Sequence, residues 1–428
     1  MRVEIRLHKT EDKRLERAIL VGAGTADVDD DEFKMLDELD ELARTAGVKS
    51  VARMYQRRQR PDTTYYIGKG KAEELASKIR EHEAQCVLFD NDLTPRQVRN
   101  LEEKVGCKVL DRSEVILDIF ATHAKTMESR LQVELAQLRY TLPRLKRMWT
   151  HLDRISGKGG IGGRGPGEKQ IESDRRLIDR RLHQLETELK EISIRKERQV
   201  GSREEKLTVA LVGYTNAGKS TLMHQVTGAD VYQADKLFAT LDTKTSDLSL
   251  PNGQTVFMSD TVGFIENLPH HLIASFHATL EEVRQAKLLL HIVSASEPGI
   301  EMKIKTVDDV LHKELGMENY EQILVFNKID AVEDQVAFNA LKNKHKDFIE
   351  VSAKTGEGVD TLIQRLVDFD EKSREVIELE IDVADGKTQA QLSRLGEILE
   401  TQYEGNRVFM TVSLPKTMVG HFKQHLRS

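Results

Sequence analysis

A glycine-rich loop between an apolar run and a helical pattern constrains the fold of this chain more than any other stretch. Residues 207–212 are apolar enough for a buried strand, residues 213–221 read GYTNAGKST, and residues 221–226 can start a helix. The loop fits G-x-x-x-x-G-K-[ST], in which small residues let consecutive backbone N–H groups face a phosphate at a helix N-terminus. Ordinary residue frequencies give such a match by chance in roughly one per cent of chains of this length. The pattern therefore predicts a nucleotide phosphate site.

The side chains of this loop have distinct expected roles. Lys219 would reach the β- and γ-phosphates, and the Ser220 hydroxyl would bind Mg²⁺. Asn216 suggests the further hypothesis that its amide helps to hold K⁺ beside the phosphates. We expect every residue of the loop to contact the nucleotide: Gly213, Tyr214, Thr215, Asn216, Ala217, Gly218, Lys219, Ser220 and Thr221.

Later motifs follow in the order that a GTPase requires. Asp260 and Gly263 belong to a D-x-x-G run after an apolar strand, where the carboxylate can bind Mg²⁺ through water and the Gly263 N–H can meet the γ-phosphate. Asp330 can accept two hydrogen bonds from guanine that adenine does not offer, while Lys328 lies along the nucleotide. The other expected contacts near the base are Asn327, Ser352, Ala353 and Lys354. GTP and GDP are the predicted ligands, and preferential binding of ATP would instead indicate an ATPase.

Thr240 is the candidate switch residue, in the run Phe238–Asp242. Its hydroxyl and carbonyl would complete the Mg²⁺ and γ-phosphate shells only while GTP is bound, and Phe238 is expected beside the nucleotide. Thr243 and Thr245 are competing candidates. The predicted catalytic residues are Lys219, Thr240 and Gly263, and the predicted metal ligands are Ser220, Thr240 and Asp260.

Phe264 follows the D-x-x-G run, at the position where many regulatory GTPases carry a glutamine that orients water. A phenyl ring has no group that orients water. We therefore expect slow hydrolysis in the absence of a partner.

The first 125 residues alternate apolar runs with helical patterns, which favours a small α/β domain with a parallel sheet. Strands are expected near residues 18–21, 51–55, 86–90 and 107–111, and helices near 32–46, 71–83 and 94–105, the last with Thr94 as N-cap and Pro95 in the first turn.

Two heptad seams follow, and they predict an antiparallel helical hairpin. Pro143 is expected to kink the first arm. The first seam comprises Leu131, Leu135, Leu138, Leu142, Leu145, Trp149 and Leu152, and the second Ile171, Ile178, Leu182, Leu185, Leu189 and Ile192.

The hairpin tip, residues 156–167, is glycine-rich and carries Lys158 and Arg164. It is either a flexible loop between solvated helices or a probe for structured RNA, in which backbone N–H groups and cations meet phosphates.

The remaining residues predict a doubly wound parallel sheet for the GTPase region and a small α+β region after it. The C-terminal region is expected to contain two strands, at residues 376–381 and 407–414, with a helix at residues 388–403 between them. The expected domains are 1–125 (α/β), 126–204 (hairpin), 205–370 (P-loop GTPase) and 371–428 (α+β).

Composition excludes several classes of protein. The formal charge of −7 does not indicate a general polyanion binder, so DNA is not an expected partner. Two cysteines without ligand spacing suggest a reducing compartment, and the chain shows neither a signal peptide nor an apolar span. We therefore expect a soluble cytoplasmic protein, acting as a monomer.

Together these runs resemble the HflX family of translational GTPases. The resemblance extends from about residue 68 to residue 370. Its specific runs are YIGKGK at 66–71, LDIF at 117–120, LQVELAQL at 131–138, RGPGE at 164–168, DRR at 174–176, the phosphate loop, FATLD at 238–242 and DTVGF at 260–264.

The resemblance implies a GTPase that binds the large ribosomal subunit and its rRNA, splits ribosomes under stress and inserts the tip near the peptidyl transferase centre. ATP-linked activity is reported in some members, but residues 1–125 here contain no complete ATP motif. The competing hypothesis is a regulatory switch that recruits a protein partner through the hairpin.

Overall fold

The computed structural model describes residues 15–24, 36–145, 166–200, 206–229, 237–266 and 277–426. The chain forms two compact units. The first comprises residues 1–194, 232–243 and 262–281, and the second comprises residues 195–231, 244–261 and 282–428. Among the described residues, no helix has the length and apolar character needed to cross a membrane.

The first unit begins with a small α/β domain. Its elements are β1 Glu16–Gly24, α1 Asp37–Thr45, β2 Val48–Arg57, α2 Lys69–Glu81, β3 Cys86–Phe89, α3 Pro95–Val105 and β4 Lys108–Leu110. The strands form a parallel sheet in the order β2-β1-β3-β4, as the alternation of apolar runs and helices predicts. Ile19, Val87 and Leu101 are fully buried in its core. The predicted cap is confirmed, since the Thr94 hydroxyl accepts a hydrogen bond from the Gln97 N–H at 3.3 Å.

Three helices follow this sheet along the chain: α4 Arg112–His123, α5 Met127–Thr141 and α6 Pro166–Val200. Sequence analysis did not predict α4, because most of its residues are buried and it shows little amphipathic periodicity. The seams of α5 and α6 were predicted, and Leu131 and Leu135 pack against Leu185 there. A 3₁₀ turn at Leu142–Arg144 contains Pro143 and follows the end of α5. Residues 156–165 of the tip, with Lys158 and Arg164, lie outside the described residues.

The second unit contains a six-stranded sheet. Its strands are β5 Leu207–Gly213, β6 Lys244–Ser249, β7 Thr255–Asp260, β8 Leu288–Ser294, β9 Gln322–Asn327 and β10 Phe348–Glu350. The helices of this part of the chain are α7 Lys219–Thr227, α8 His277–Gln285, α9 Ile300–Asp309, α10 Gln335–Lys344 and α11 Val359–Ser373. The strand order is β10-β9-β8-β5-β7-β6.

The predicted doubly wound parallel sheet is confirmed, with one antiparallel strand at its edge. Five strands are parallel, but β6 pairs antiparallel with β7, with Lys244 opposite Asp260. Residues 250–254 are too few for a crossover connection, so the two strands form a hairpin. The polar sequence of β6 gave no apolar signal for a strand.

The C-terminal region forms a three-stranded antiparallel sheet in the order β11-β13-β12. Its elements are β11 Arg374–Asp382, α12 Gly386–Leu395, β12 Glu397–Glu404, β13 Arg407–Pro415 and α13 Lys416–Val419. The predicted helix at residues 388–403 is therefore wrong over its second half. Gly396 is extended there, with φ of −131°, and residues 397–404 pair with β13. An additional strand thus replaces half of the expected helix.

Candidate nucleotide site

Two glycines of the phosphate loop occupy positions that no other residue fits. The loop leaves β5 at Gly213 and enters α7 at Lys219. Gly213 has φ of +154°, and a Cβ there would lie 2.2 Å from the Ile292 carbonyl oxygen. Gly218 has φ of +90°, and a Cβ would lie 2.3 Å from Asn327 Nδ2. Both the conformation and the lack of space therefore require glycine, which keeps the loop backbone accessible to an anion.

Lys219 is buried in this loop, with 6% of its surface exposed. Its Nζ donates to the Gly213 and Tyr214 carbonyl oxygens at 3.0 and 2.8 Å. Burial lowers the pKa of Lys219 to about 8, and the nearby Asp260 carboxylate only partly opposes that effect. The ammonium thus lies under the loop in a low-dielectric environment, where a phosphate would stabilise its charge.

Ser220 and Asp260 are in direct contact, with the Ser220 hydroxyl donating to Asp260 Oδ2 at 2.6 Å. Asp260 is fully buried at the end of β7. The neighbouring Thr261 hydroxyl donates to the Leu211 carbonyl oxygen at 2.6 Å, which ties this strand end to β5. A hydroxyl and a carboxylate at the N-terminus of α7 are hard oxygen ligands of the kind that Mg²⁺ prefers. The predicted ligands Ser220 and Asp260 therefore fit this ion.

Asn327 connects the phosphate loop to the loop after β10. Its Nδ2 donates to the Ala217 carbonyl oxygen at 2.9 Å, and its Oδ1 accepts from the Ala353 N–H at 2.9 Å. The Ser352 hydroxyl donates to Asp330 Oδ1 at 2.6 Å. Hydrogen bonds thus join the phosphate loop and the two predicted base-side motifs within one unit.

Lys328 has the left-handed backbone conformation, with φ of +63°. Its Nζ lies 3.1 Å from Glu297 Oε1, and Glu297 also pairs with Lys303 at 2.5 Å. Burial alone would raise the pKa of Glu297, but these two lysines lower it. Sequence reasoning missed Glu297, since a single acidic residue 31 positions before Lys328 gives no local signal. Lys354 is exposed beside Ala353.

The remaining predicted residues, Phe238, Thr240 and Gly263, belong to the other compact unit. The Phe238 ring packs edge-on against Phe120, with centroids 4.7 Å apart. Thr240 is half-buried, and Gly263 is buried. The contact of each with a nucleotide stays a prediction.

Polar contacts in the first unit hold the two segments that carry Phe238, Thr240 and Gly263. Asp242 accepts hydrogen bonds from the residues that precede α5. The Arg112 guanidinium donates to the Glu266 carbonyl oxygen at 2.9 Å and pairs with Asp90 and Glu38. Sequence analysis missed both anchors, because Asp242 lies 116 residues from Thr126 and Arg112 lies 154 residues from Glu266 along the chain.

Three family models match successive parts of the chain. A model described as GTP-binding GTPase N-terminal matches residues 34–121. A model described as GTP-binding GTPase middle region matches residues 123–203. A model described as 50S ribosome-binding GTPase matches residues 208–328, which include the phosphate loop and Lys328.

Known proteins match nearly the whole chain. GTPase HflX of Lacrimispora saccharolytica is 43% identical over 406 residues, which cover 94% of this chain and 94% of that protein. GTPase HflX of Escherichia coli K12 is 42% identical over 393 residues, which cover 90% of this chain and 91% of that protein. A solved structure described as SsGBP in complex with GDP is 24% identical, covers 83% of this chain and 98% of that chain, and has a TM-score of 0.46.

Proposed function

Because the chain belongs to the HflX family of GTPases, we propose that it hydrolyses GTP as a partner-controlled switch on the large ribosomal subunit, and that it splits ribosomes under stress. The observation that carries this proposal is the Asn327 bridge between the phosphate loop and the loop at Ala353. That bridge holds the two loops at one spacing, which would suit a nucleotide with its phosphates on the first loop and its base on the second.

Asp330 would select guanine. Its carboxylate would accept hydrogen bonds from guanine N1–H and the 2-amino group, while the Ser352 hydroxyl holds Oδ1 from the side. Adenine has no donor at these two positions, so it would leave the acceptors unpaired. The Ala353 N–H already donates to Asn327, which orients the loop that would cover the base edge.

The phosphate end would act through charge. Lys219 and the backbone N–H groups of residues 213–221 would stabilise the charge that develops on the γ-phosphate during attack by water. Ser220, Asp260 and, in the GTP state, Thr240 would hold Mg²⁺, which neutralises phosphate charge when bound. Gly263 would contact the γ-phosphate through its N–H.

Asn216 supports a separate proposal about K⁺. Its φ of +59° is uncommon for a residue other than glycine, and its amide oxygen is a suitable ligand for a large monovalent cation. K⁺ held there would supply positive charge next to the phosphates. Faster hydrolysis in KCl than in NaCl is the expected result, and equal rates would remove the proposal.

The partner assignment rests on the family and on the tip. The description of the matching model names the 50S ribosome, and the sequence of the tip contains Lys158 and Arg164 among glycines. Phe264 occupies the position where many regulatory GTPases carry a glutamine that orients water, so we infer that the partner would supply this function.

Co-sedimentation with separated ribosomal subunits tests the proposal. In a non-hydrolysable GTP analogue, we expect the protein to pellet with large subunits with affinity about tenfold higher than in GDP. Asp330→Asn is the matched control, because it should transfer this dependence from guanosine to xanthosine analogues. Addition of the protein with the GTP analogue to joined ribosomes should increase free subunits in a sucrose gradient.

Three outcomes would contradict this function. Equal pelleting in GDP and in the GTP analogue would contradict a nucleotide-controlled switch. Preference for an ATP analogue would contradict the role of Asp330 in selecting guanine. Absence of pelleting with large subunits would leave a switch that recruits a protein through the hairpin.

A further inference from the structure

The segment at residues 237–242, which carries Thr240, packs against α4 and against the connection between α4 and α5. Leu237, Phe238 and Leu241 are each 2–3% exposed. The Phe238 ring lies edge-on against Phe120 of α4, with an interplanar angle of 78°. The Leu237 N–H also donates to the Thr45 hydroxyl at the end of α1, at 3.3 Å. This packing anchors the segment on both sides of Thr240.

Asp242 forms the polar part of this anchor. Its Oδ2 accepts from the N–H groups of Lys125 and Thr126, both at 3.2 Å, and its Oδ1 accepts from the Thr126 hydroxyl at 2.5 Å. Thr126 is also the N-cap of α5, since its hydroxyl accepts from the Ser129 N–H at 3.1 Å. A carboxylate at a helix N-terminus satisfies otherwise unpaired donors and is stabilised by the helix dipole.

Helix α5 is also the first arm of the hairpin. Leu131 and Leu135 pack against Leu185 of α6, and Arg181 of α6 binds both carboxylate oxygens of Glu134 at 2.7 and 2.8 Å. These contacts begin less than two turns from the end that Asp242 caps. Because α5 is one continuous helix between these contacts and its N-terminus, a displacement of α5 would also displace the residues that contact Asp242.

We propose that Asp242 is a positioning residue that couples the hairpin to the switch segment. Movement of Thr240 into a GTP-bound arrangement would change the contacts of Asp242 with Lys125 and Thr126 at the start of α5. A partner bound to the hairpin would shift the equilibrium between these two arrangements of the switch segment. Such coupling is reciprocal, so the nucleotide and the partner change each other's affinity by the same factor. The identity of the partner rests on the proposed function, whereas the link between nucleotide and α5 does not.

Amide hydrogen exchange tests the link without ribosomes. In the wild-type protein, we expect the amides of residues 125–130 to exchange at rates that differ by about tenfold between GDP and a non-hydrolysable GTP analogue. In Asp242→Asn this difference should disappear. Equal exchange in both nucleotides for the wild-type protein would make Asp242 a static cap and overturn the inference.

Large-subunit affinity tests the coupling to the partner. The ratio of affinities in the GTP analogue and in GDP should fall about tenfold towards one in Asp242→Asn and Thr126→Val. Thr126→Ser, which keeps the hydroxyl, and Asp247→Asn, which removes an exposed carboxylate of β6, should retain the wild-type ratio. A purely structural role would lower the stability of the variants and leave the ratio unchanged, which would overturn the inference.

The two experiments separate this inference from the proposed function. If wild-type protein shows nucleotide-dependent exchange at α5 but does not bind large subunits, the proposed function fails and the link stands. If it binds large subunits with a nucleotide dependence that Asp242→Asn and Thr126→Val both retain, the function stands and the link fails.

Discussion

Asn327 uses both ends of its side-chain amide inside the protein. One end donates to the phosphate loop at Ala217 and the other accepts from the base-side loop at Ala353, and 1% of the residue is exposed. Its role is therefore to set the distance between two loops, while the proposed selection of the base belongs to Asp330.

Asn327→Leu tests this role with a side chain of similar size. The variant leaves the Ala217 carbonyl and the Ala353 N–H unpaired, and each buried unpaired group costs about 1–3 kcal/mol. We expect a lower free energy of unfolding in urea and GTP affinity weaker by about tenfold or more in a fluorescent nucleotide titration. Asn343→Leu, at an exposed position of α10, should change neither quantity. Normal GTP affinity in Asn327→Leu would mean that the bridge does not position the nucleotide.

The lowered pKa of Lys219 should make the free energy of unfolding depend on pH. Its pKa is about 8 in the folded protein against 10.5 for the ordinary value, so the unfolded chain binds more protons between these pH values. The free energy of unfolding of nucleotide-free protein should therefore rise with pH in this window, relative to Lys219→Met, by about 3 kcal/mol at most. Urea denaturation of both proteins at pH 7.5, 9 and 10.5 measures the difference. A constant difference would show that Lys219 titrates normally.

At the scale of elements, the sequence predicted those strands, helices and caps whose formation depends on residues close together in the chain. The strands β1, β5 and β8 are apolar runs, and the cap of α3 is a local motif, so the sequence alone was sufficient for both. The edge strand β6 and the buried helix α4 lack such patterns, because their environment comes from distant parts of the chain. The same distinction applies to the site, where the motifs were predicted but Glu297, Asp242 and Arg112 were not.

Gly396 shows why the second half of the expected helix was wrong. A Cβ at this position would lie 2.5 Å from Leu414 Cδ2 and 2.7 Å from Val412 Cγ1. Gly396→Ala should therefore lower the free energy of unfolding by roughly 1–3 kcal/mol, through overpacking against β13. Gly386→Ala is the matched control, since no atom lies within 4 Å of a Cβ there. Thermal unfolding of both variants measures the effect, and equal melting temperatures would contradict the close approach of Gly396 to β13.

At the scale of the whole molecule, the proposed trigger and the proposed chemistry lie in different parts of the sequence. The tip at residues 156–167 precedes the phosphate loop by more than 40 positions, and Phe264 supplies no group that orients water. A GTPase of this kind would hydrolyse GTP slowly when isolated and faster when the tip meets RNA.

Reversal of the tip charges tests this arrangement. Lys158→Glu combined with Arg164→Glu would replace attraction to phosphates by repulsion, so stimulation of GTP hydrolysis by large subunits should be lost while GTP affinity is unchanged. For each phosphate contact, the salt dependence of large-subunit binding has a logarithmic slope of about −0.9 for duplexes and about −0.7 for single strands, so a shallower slope in the variant would count the lost contacts. Lys305→Glu combined with Lys346→Glu reverses two exposed lysines of the other unit and should leave stimulation intact. Stimulation that survived reversal of the tip would make residues 156–167 a linker, and the trigger would then lie elsewhere on the protein.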